Sequence, residues 1–166
     1  DRFRAEGAIR LAGVDEVGRG CLAGPVVAAA VILPPDPQGL EELDDSKVLD
    51  ADVRARLRER IVAIAVDWSV GLVDAQVIDR INILEASMQA MRLALASLQT
   101  PPDHVLVDGN RAPKSGLRET MLIGGDARSL SIAAASVVAK VHRDTMMVAF
   151  DAQFPGFGFA SNKGYA

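Results

Sequence analysis

The sequence predicts an α/β domain with a mixed central β-sheet flanked by helices. Two observations carry this prediction: short apolar runs of strand length follow one another along the chain, and amphipathic segments of helical length alternate with them. The chain has 166 residues, of which 49% are hydrophobic, and a chain of this size can bury about 68–70% of its unfolded surface. We therefore expect one domain over residues 1–166.

The first half of the chain predicts two strands, a helix and a third strand. Residues 8–16 and 25–33 are apolar, β-branched runs on either side of a glycine-rich turn. Residues 34–47 are rich in proline and acidic residues and predict a loop. From Asp50 onward the apolar residues follow the spacing of one helical stripe, and residues 66–73 again have the composition of a strand.

The second half predicts a long helix, two short strands and a second long helix. Residues 82–98 carry leucine and methionine at alternating steps of four and three, as one helical face requires. Residues 104–108 and 120–123 have the composition of buried strands. Residues 129 to about 150 form an alanine-rich segment of helical length, and residues 153–166 predict an irregular tail.

The charge balance excludes a globally basic protein. The chain has 18 Lys and Arg against 22 Asp and Glu, a formal net charge of -4, so a nucleic acid would have to bind a local basic stripe. Aromatic residues make up 4% of the chain, which argues against extensive stacking of single-stranded bases. A bound nucleic acid is therefore expected to be a duplex.

Cys21 is the single cysteine of the chain. An intramolecular disulfide framework and a thiolate-based zinc site are thereby excluded, which is typical of proteins from a reducing compartment. No apolar run reaches the ~18–20 residues of a membrane span, and the first residues form no signal-like apolar region. We expect a soluble, monomeric, cytoplasmic protein that makes no membrane contact.

Four acidic residues are the candidate catalytic and metal-binding residues. Asp15 and Glu16 end the first predicted strand, Asp108 ends a later strand, and Asp126 precedes the alanine-rich helix. Carboxylates that meet at one sheet edge repel one another unless a cation binds or protons are held. Carboxylate oxygens favour Mg²⁺ or Mn²⁺, and two such ions can support in-line attack of water on phosphorus. The pattern indicates phosphodiester hydrolysis.

The same acidic residues also have a purely structural interpretation. Acidic residues serve as helix caps and solvated strand ends, and Asp126 before a helix is a candidate N-cap, worth about 1 kcal/mol. Adjacent strand residues point to opposite faces, so Asp15 and Glu16 reach one ion only through a local twist or bulge. Spacing alone leaves both interpretations open.

Five motifs, in order along nearly the whole chain, resemble those of the ribonuclease HII family, the type 2 ribonucleases H. They are GVDEVGRGCLAGP at residues 13–25, DSK at 45–47, LVDGN at 106–110, GD at 125–126 with IAAASVVAKVHRD at 132–144, and NKGY at 162–165. The uncommon DEVGRG string and the shared order make this resemblance specific. It implies a ribonuclease H-like fold.

The resemblance further implies a metal-dependent endonuclease. Such an enzyme hydrolyses the RNA strand of RNA/DNA hybrids and nicks duplex DNA 5′ to an embedded ribonucleotide. It leaves 3′-hydroxyl and 5′-phosphate ends by metal-assisted, in-line attack of water. Carried over by motif, Asp15, Glu16, Asp108 and Asp126 would form the catalytic set that binds Mg²⁺ or Mn²⁺.

Substrate contacts are also implied by the resemblance. Gly18, Arg19 and Gly20 would contact the 2′-hydroxyl of the ribonucleotide, and Tyr165 would pack on the following sugar. Further candidates, mostly for phosphate contacts that position a duplex without reading its sequence, are Ser46, Lys47, Lys140, Arg143 and Lys163. Residue type alone leaves the alternatives open: a plain turn at 18–20, and solvated surface for the tyrosine and the basic residues.

Three positions depart from the family pattern. Cys21 stands where proline is usual, Val48 where a second lysine often follows DSK, and Gly124 where lysine commonly precedes Gly-Asp. None removes a metal ligand, but together they change turn rigidity and reduce positive charge near the substrate. The family also continues beyond the position of Tyr165 into a C-terminal helical segment. We expect this chain to lack that segment, through which a sliding clamp is a candidate partner.

Two other functions fit part of the pattern. A related ribonuclease H-like phosphotransferase, such as an integrase or a junction resolvase, would share the acids and the metal chemistry but lack the GRG and KGY motifs. A module that binds hybrids without turnover would keep the fold alone. Metal-dependent nicking of a duplex that contains one ribonucleotide separates the three functions.

Overall fold

The structure is a computed structural model that describes residues 3, 7–43 and 49–166. Its elements are β1 (Leu11–Val17), β2 (Val26–Ile32), α1 (Ala51–Ile64), β3 (Asp67–Val73), α2 (Ala75–Ile81), α3 (Ile83–Ser97), β4 (His104–Asp108), β5 (Glu119–Leu122), α4 (Leu130–Gln153) and α5 (Phe159–Asn162). The predicted strands and long helices are confirmed, with small shifts at their ends. No helix in the described ranges is long and apolar enough to cross a membrane.

The strands form one mixed sheet in the order β3-β2-β1-β4-β5. β1 pairs antiparallel with β2, and β2 with β3. β4 runs parallel to β1, and β5 runs parallel to β4. Parallel pairing of β1 and β4 requires a long crossover connection, which the segment containing α3 supplies. The predicted α/β class with a mixed central sheet is confirmed.

Each face of the sheet carries its own hydrophobic core. On one face, α3 buries Met91 and Leu95 against strand residues such as Val14. On the other face, α1 and α4 cover strand residues such as Val27 and Ala29. Neighbouring strand residues alternate between faces, so β2, which is buried along its whole length, is apolar on both sides. The sheet is the middle layer between two layers of helices.

Helix α4 lies very close to β1. A Cβ atom at Gly13 would come within 2.1 Å of the backbone carbonyl carbon of Ser131, so the position requires glycine. Residues 133–135 and 139 of α4 are buried alanines, whose small side chains also let the helix approach the sheet. This close packing places Ser136 of α4 within hydrogen-bonding reach of Asp15 in β1.

Two short helices differ from the sequence-based expectation. α2 precedes α3 directly and is capped by Asp74, which accepts a hydrogen bond from the Val77 amide at 2.8 Å. Asn82, with a φ of 70°, ends α2 and caps α3. α5 lies in the tail predicted to be irregular, between the left-handed residues Gly158 and Lys163. Both helices are too short for apolar periodicity to indicate them.

Gly13→Ala is expected to lower the free energy of unfolding by about 3 kcal/mol or more, because the new methyl group overlaps backbone that cannot rotate away. Gly20→Ala is the matched control, since a Cβ at Gly20 meets nothing within 4 Å and its effect should stay within about 0.5 kcal/mol. Urea unfolding of both variants measures the difference. Equal stability of the two would contradict the close approach of α4 to β1.

Candidate active site

Asp15 and Asp108 lie side by side at one edge of the sheet. Asp108 is the last residue of β4, and the parallel register pairs Val14 with Val107. The residues that follow this pair, Asp15 on β1 and Asp108 on β4, are therefore neighbours on adjacent strands. Carboxyl ends of parallel strands meet at the same sheet edge, so the predicted convergence of these two acids follows from the β1–β4 pairing.

Burial perturbs the carboxylate of Asp15. Its residue is 8% exposed, and burial, followed by the charges of Glu16 and Asp108, raises its pKa well above the ordinary aspartate value. Two hydrogen bonds oppose this rise: the Glu16 amide donates to Oδ1 at 2.7 Å, and the Ser136 side chain forms the other. An ionised Asp15 is thus disfavoured here unless a cation or a proton compensates its charge.

Glu16 reaches the same region without a bulge in β1. The β1–β2 register continues unbroken through Asp15 and Glu16, which pair with Ala29 and Ala28. The two side chains therefore start from opposite faces of the sheet. Glu16 nevertheless lines the same cavity as Asp15. Its Oε1 lies 3.9 Å from Nη1 of Arg19.

The turn before α4 ties Asp126 to Asp108. The Gly125 amide donates to Oδ1 of Asp108 at 2.7 Å, and Oδ1 of the half-buried Asp126 accepts from the Ala127 amide at 2.9 Å. The N-cap interpretation of Asp126 is wrong: α4 begins at Leu130, and Ser129 caps it. Asp126 therefore lies one residue from the amide that fixes Asp108.

The structure does not assemble a closed ligand set for a metal ion. Within the described residues, no three carboxylate, imidazole or thiol side chains converge closely enough to hold one ion. Asp15, Glu16 and Asp108 form one electrostatic group, and Asp126 lies next to Gly125, whose amide binds Asp108.

A cavity of about 460 Å³ opens beside these acids. It joins two of the acids to several residues of the predicted substrate site. Its lining includes Asp15, Glu16, Arg19, Gly20, Lys140 and Tyr165. Residues that are more than 100 positions apart in the sequence therefore face one space.

The predicted basic contacts fall into different environments. Arg19 has a side chain that is 53% exposed. Lys140 lies 2.8 Å from Oδ1 of Asp144 and 5.8 Å from the ring centre of Tyr165. The Lys163 ammonium group folds back and donates to the Ala160 carbonyl. Ser46 and Lys47 lie outside the described residues.

Arg143 does not lie where a phosphate contact was expected. Its side chain is fully buried, and its guanidinium donates to the carbonyls of Ala23, Pro25 and Lys163. This corrects the sequence-based role, because a group with no exposed surface cannot reach a phosphate. Three residues after Lys140 on one helix, Arg143 faces the interior between α4 and the turn that follows β1.

The C-terminal segment packs on the turn after β1. The amide of Leu22 donates to the carbonyl of Gly164 at 2.8 Å, and the side chain of Tyr165 lies against that of Cys21. Burial, then this contact with Cys21, raises the pKa of Tyr165. The sequence analysis missed both Cys21 and Ser136 as site residues. A serine in an otherwise apolar stretch of a buried helix is a signal that could have pointed to Ser136.

Asp15→Asn is expected to raise the melting temperature in a chelator at pH 7, because the amide removes a buried charge and keeps the shape of the side chain. The folded-state pKa of Asp15 is raised, so the penalty for its ionisation grows as the pH rises from the ordinary aspartate value through the folded value. The gain should therefore vanish below about pH 4. Thermal melts at neutral and acidic pH measure it.

Asp103→Asn is the matched control, with the opposite sign. At Asp103, burial is outweighed by hydrogen bonds from the amides of Arg10 and Ile9, so its pKa is lowered. Its ionised form stabilises the fold above the ordinary aspartate pKa, and the amide should lower the melting temperature at pH 7. If Asp15→Asn melts at or below the temperature of the unchanged chain, ionised Asp15 does not destabilise the fold.

Comparison with known proteins identifies the family. The sequence model of the ribonuclease HII family matches residues 12–166. The ribonuclease HII of Geotalea daltonii is 57% identical over 162 residues, which cover 98% of this chain and 74% of that protein.

Solved structures agree with this match. The ribonuclease H2 from Pyrococcus horikoshii superposes with a TM-score of 0.77 at 30% identity, over 95% of this chain and 81% of that chain. The ribonuclease HII in a PCNA complex from Archaeoglobus fulgidus gives a TM-score of 0.78 at 29% identity, over 95% and 82%. The predicted ribonuclease H-like fold is confirmed. The chain belongs to the ribonuclease HII family, whose members are metal-dependent endonucleases that act on RNA/DNA hybrids.

Proposed function

We propose that this chain nicks duplex DNA on the 5′ side of an embedded ribonucleotide, besides hydrolysing the RNA strand of hybrids, and leaves 3′-hydroxyl and 5′-phosphate ends. One observation carries the proposal: a single cavity is lined by the acids Asp15 and Glu16, by the glycine-arginine-glycine turn and by Tyr165. Groups suited to hydrolysis therefore lie beside groups suited to sensing one sugar. A nuclease without ribonucleotide selection would not need the second set.

Asp15, Glu16, Asp108 and Asp126 are the residues that would hold Mg²⁺ or Mn²⁺. The fit rests on the donor set: hard carboxylate oxygens and a buried Asp15 whose pKa is raised by burial and by two further acids. When bound, such ions lower the pKa of a coordinated water and stabilise the charge that develops at phosphorus. The chain itself fixes the donors, since the Glu16 amide and Ser136 hold Asp15.

Asp108 and Asp126 would close the set on the other side. The Gly125 amide holds one oxygen of Asp108 at 2.7 Å, which leaves the second oxygen for a ligand. Asp126 follows Gly125 directly, so rotation of its half-buried side chain is the motion that would bring it toward Asp108. Neutralisation of the acids would favour that rotation, because it removes the repulsion between them.

Selection of the ribonucleotide would come from the turn at residues 18–20. Gly18 has a φ of 102°, and a Cβ there would lie 2.6 Å from both the Pro25 carbonyl and Nε of Arg143. The Pro25 carbonyl and Arg143 thus pack closely against the turn at Gly18. Gly20, in contrast, faces open space and lets a sugar approach the backbone. The 2′-hydroxyl is the group that distinguishes RNA from DNA at such a site.

Tyr165 would read the next sugar. Its residue is 42% exposed and its hydroxyl lies against the Cys21 thiol, so the ring is available to a substrate. Lys140, beside the same ring, is placed for a phosphate contact that positions the duplex. A ring packed on that sugar would disfavour a 2′-hydroxyl there, so an RNA–DNA junction should be cut faster than a continuous hybrid.

Partners and cellular location stay predictions. The A. fulgidus relative was solved as a complex with PCNA, which supports a sliding clamp as a candidate partner of this chain. The monomeric state, the cytoplasmic location and the assignment of residues 1–166 to one catalytic domain are proposals of the same kind. Size-exclusion chromatography with and without a purified clamp would test both the monomeric state and binding to the clamp.

Asp108→Asn is expected to lower cleavage by more than about hundredfold, since even changes next to metal ligands cost about 10–100-fold. Asparagine keeps an oxygen to accept from the Gly125 amide, so the fold should stay intact. Asp103→Asn, at the other end of β4, is the matched control and should keep its activity. The measurement is a cleavage-site map on a duplex with one ribonucleotide, with Mg²⁺ or Mn²⁺ and with a chelator.

The same map separates the alternatives. A cut on the 5′ side of the ribonucleotide supports the proposal. An intact ribonucleotide duplex together with a cleaved all-DNA junction would instead identify another ribonuclease H-like phosphotransferase. Binding of a hybrid without metal-dependent nicking would identify a binding module.

Arg19→Ala is expected to reduce selection of the ribonucleotide by roughly tenfold to a hundredfold, the worth of one charged hydrogen bond, without unfolding. Selection is measured as the ratio of kcat/KM on the single-ribonucleotide duplex to kcat/KM on the same duplex made only of DNA. Arg118, an exposed arginine directly before β5, lies at the opposite sheet edge, so Arg118→Ala is the control. An unchanged ratio in Arg19→Ala would remove Arg19 from the recognition site.

A further inference from the structure

Arg143 connects two chain segments that are far apart in the sequence. Its Nε donates to the Pro25 carbonyl at 2.9 Å, its Nη2 to Ala23 at 2.9 Å and its Nη1 to Lys163 at 2.7 Å. The first two carbonyls belong to the turn after β1, and the third lies two residues before Tyr165. All three nitrogens of one buried guanidinium are thus used to join turn and tail.

The two segments also bind each other directly. The amides of Leu22 and Ala23 donate to the Gly164 carbonyl at 2.8 and 3.3 Å. Gly164 is buried with a φ of 85°, and a Cβ there would lie 2.4 Å from the Ala23 carbonyl oxygen. Residues 18–25 and 162–165 therefore form one packed turn–tail unit, with Arg143 beneath it.

Stability alone does not explain an arginine at this position. Burial of a charge is costly, and apolar side chains of similar volume often give equal or greater stability. The planar fork of arginine, however, presents its donors in fixed directions and loses little rotational freedom for each bond it makes. Such a group is suited to setting the distance between segments. Lysine concentrates its donors at one atom and cannot span three separate carbonyls.

We propose that Arg143 is a positioning residue for ribonucleotide selection, which holds the glycine-arginine-glycine turn and Tyr165 at a fixed separation. The inference rests on the proposed function. Because the separation is fixed, the 2′-hydroxyl and the following sugar are recognised together only when they belong to adjacent nucleotides. Arg143 touches neither sugar; it acts through Gly18, whose missing Cβ leaves room for Nε, and through the Lys163 carbonyl.

The test compares Arg143→Lys with Arg92→Lys. Arg92 is a half-buried arginine that also donates to a carbonyl, that of Pro113 at 2.8 Å, but lies on α3, away from the site. The ratio of kcat/KM on a single-ribonucleotide duplex to kcat/KM on a continuous hybrid should fall by about tenfold to a hundredfold in Arg143→Lys, as expected for slight misplacement of binding groups. In Arg92→Lys it should not change.

A double-mutant cycle separates positioning from general loosening. Tyr165→Ala should also lower the ratio, and adding Arg143→Lys to it should lower the ratio by less than the product of the two single effects, because both act through the same contact. Independent, multiplicative losses would overturn the proposal. Trypsin gives a readout without substrate: the Lys163–Gly164 bond should be cut faster in Arg143→Lys than in the unchanged chain, with the control unaffected.

The outcomes of the two proposals are distinguishable. If the unchanged chain makes no cut at a ribonucleotide, the proposed function fails whatever the variants do. If the unchanged chain is selective and Arg143→Lys keeps both its ratio and its resistance to trypsin, the role of Arg143 is wrong. Should Arg143→Lys melt below the assay temperature, Arg143→Gln replaces it, since a neutral amide carries no buried charge and still cannot bind three carbonyls.

Discussion

Mutual repulsion of carboxylates at the carboxyl end of β1 is the constraint on which the rest of the site depends. Asp15 is buried beside Glu16 and Asp108, and its pKa rises because burial and both neighbours oppose its charge. A buried carboxylate needs fixed donors, and one of them, Ser136, belongs to α4. That helix reaches β1 only because Gly13 carries no side chain. The environment of the acids therefore depends on how closely the helix packs against the sheet.

In the proposed function, different parts of the chain carry out hydrolysis and selection of the ribonucleotide. The acids lie on strands and on the turn before α4, whereas Arg19, Cys21 and Tyr165 belong to the turn–tail unit. Cys21 departs from the proline usual in the family, yet its thiol lies against the Tyr165 hydroxyl. A departure that first suggested a looser turn thus supplies a contact of its own. The exposed ring and the exposed Arg19 are the parts of this unit that a duplex can reach.

Much of the fold could be predicted from the sequence, because apolar spacing reports which face of one element is buried. The strands that carry Asp15 and Asp108 were predicted in this way, whereas their pairing as neighbours in the sheet was not. Roles that depend on the direction of a side chain could not be: Arg143 reads as a surface cation three residues after Lys140, and only the packing of α4 turns it inward. Asp126 resembled a cap because it is an aspartate shortly before a helix, but the helix begins later than predicted and Ser129 caps it.

Helix α4 presents Ser136, Lys140 and Arg143 at steps of four and three, which is one stripe along its length. Ser136 binds the acid group, Lys140 lines the cavity, and Arg143 supports the turn–tail unit. A tilt or slide of this rod would disturb all three at once. If the proposed roles hold, a displacement of the whole helix would alter rate and choice of substrate together, whereas a substitution at one of the three positions would alter one of them.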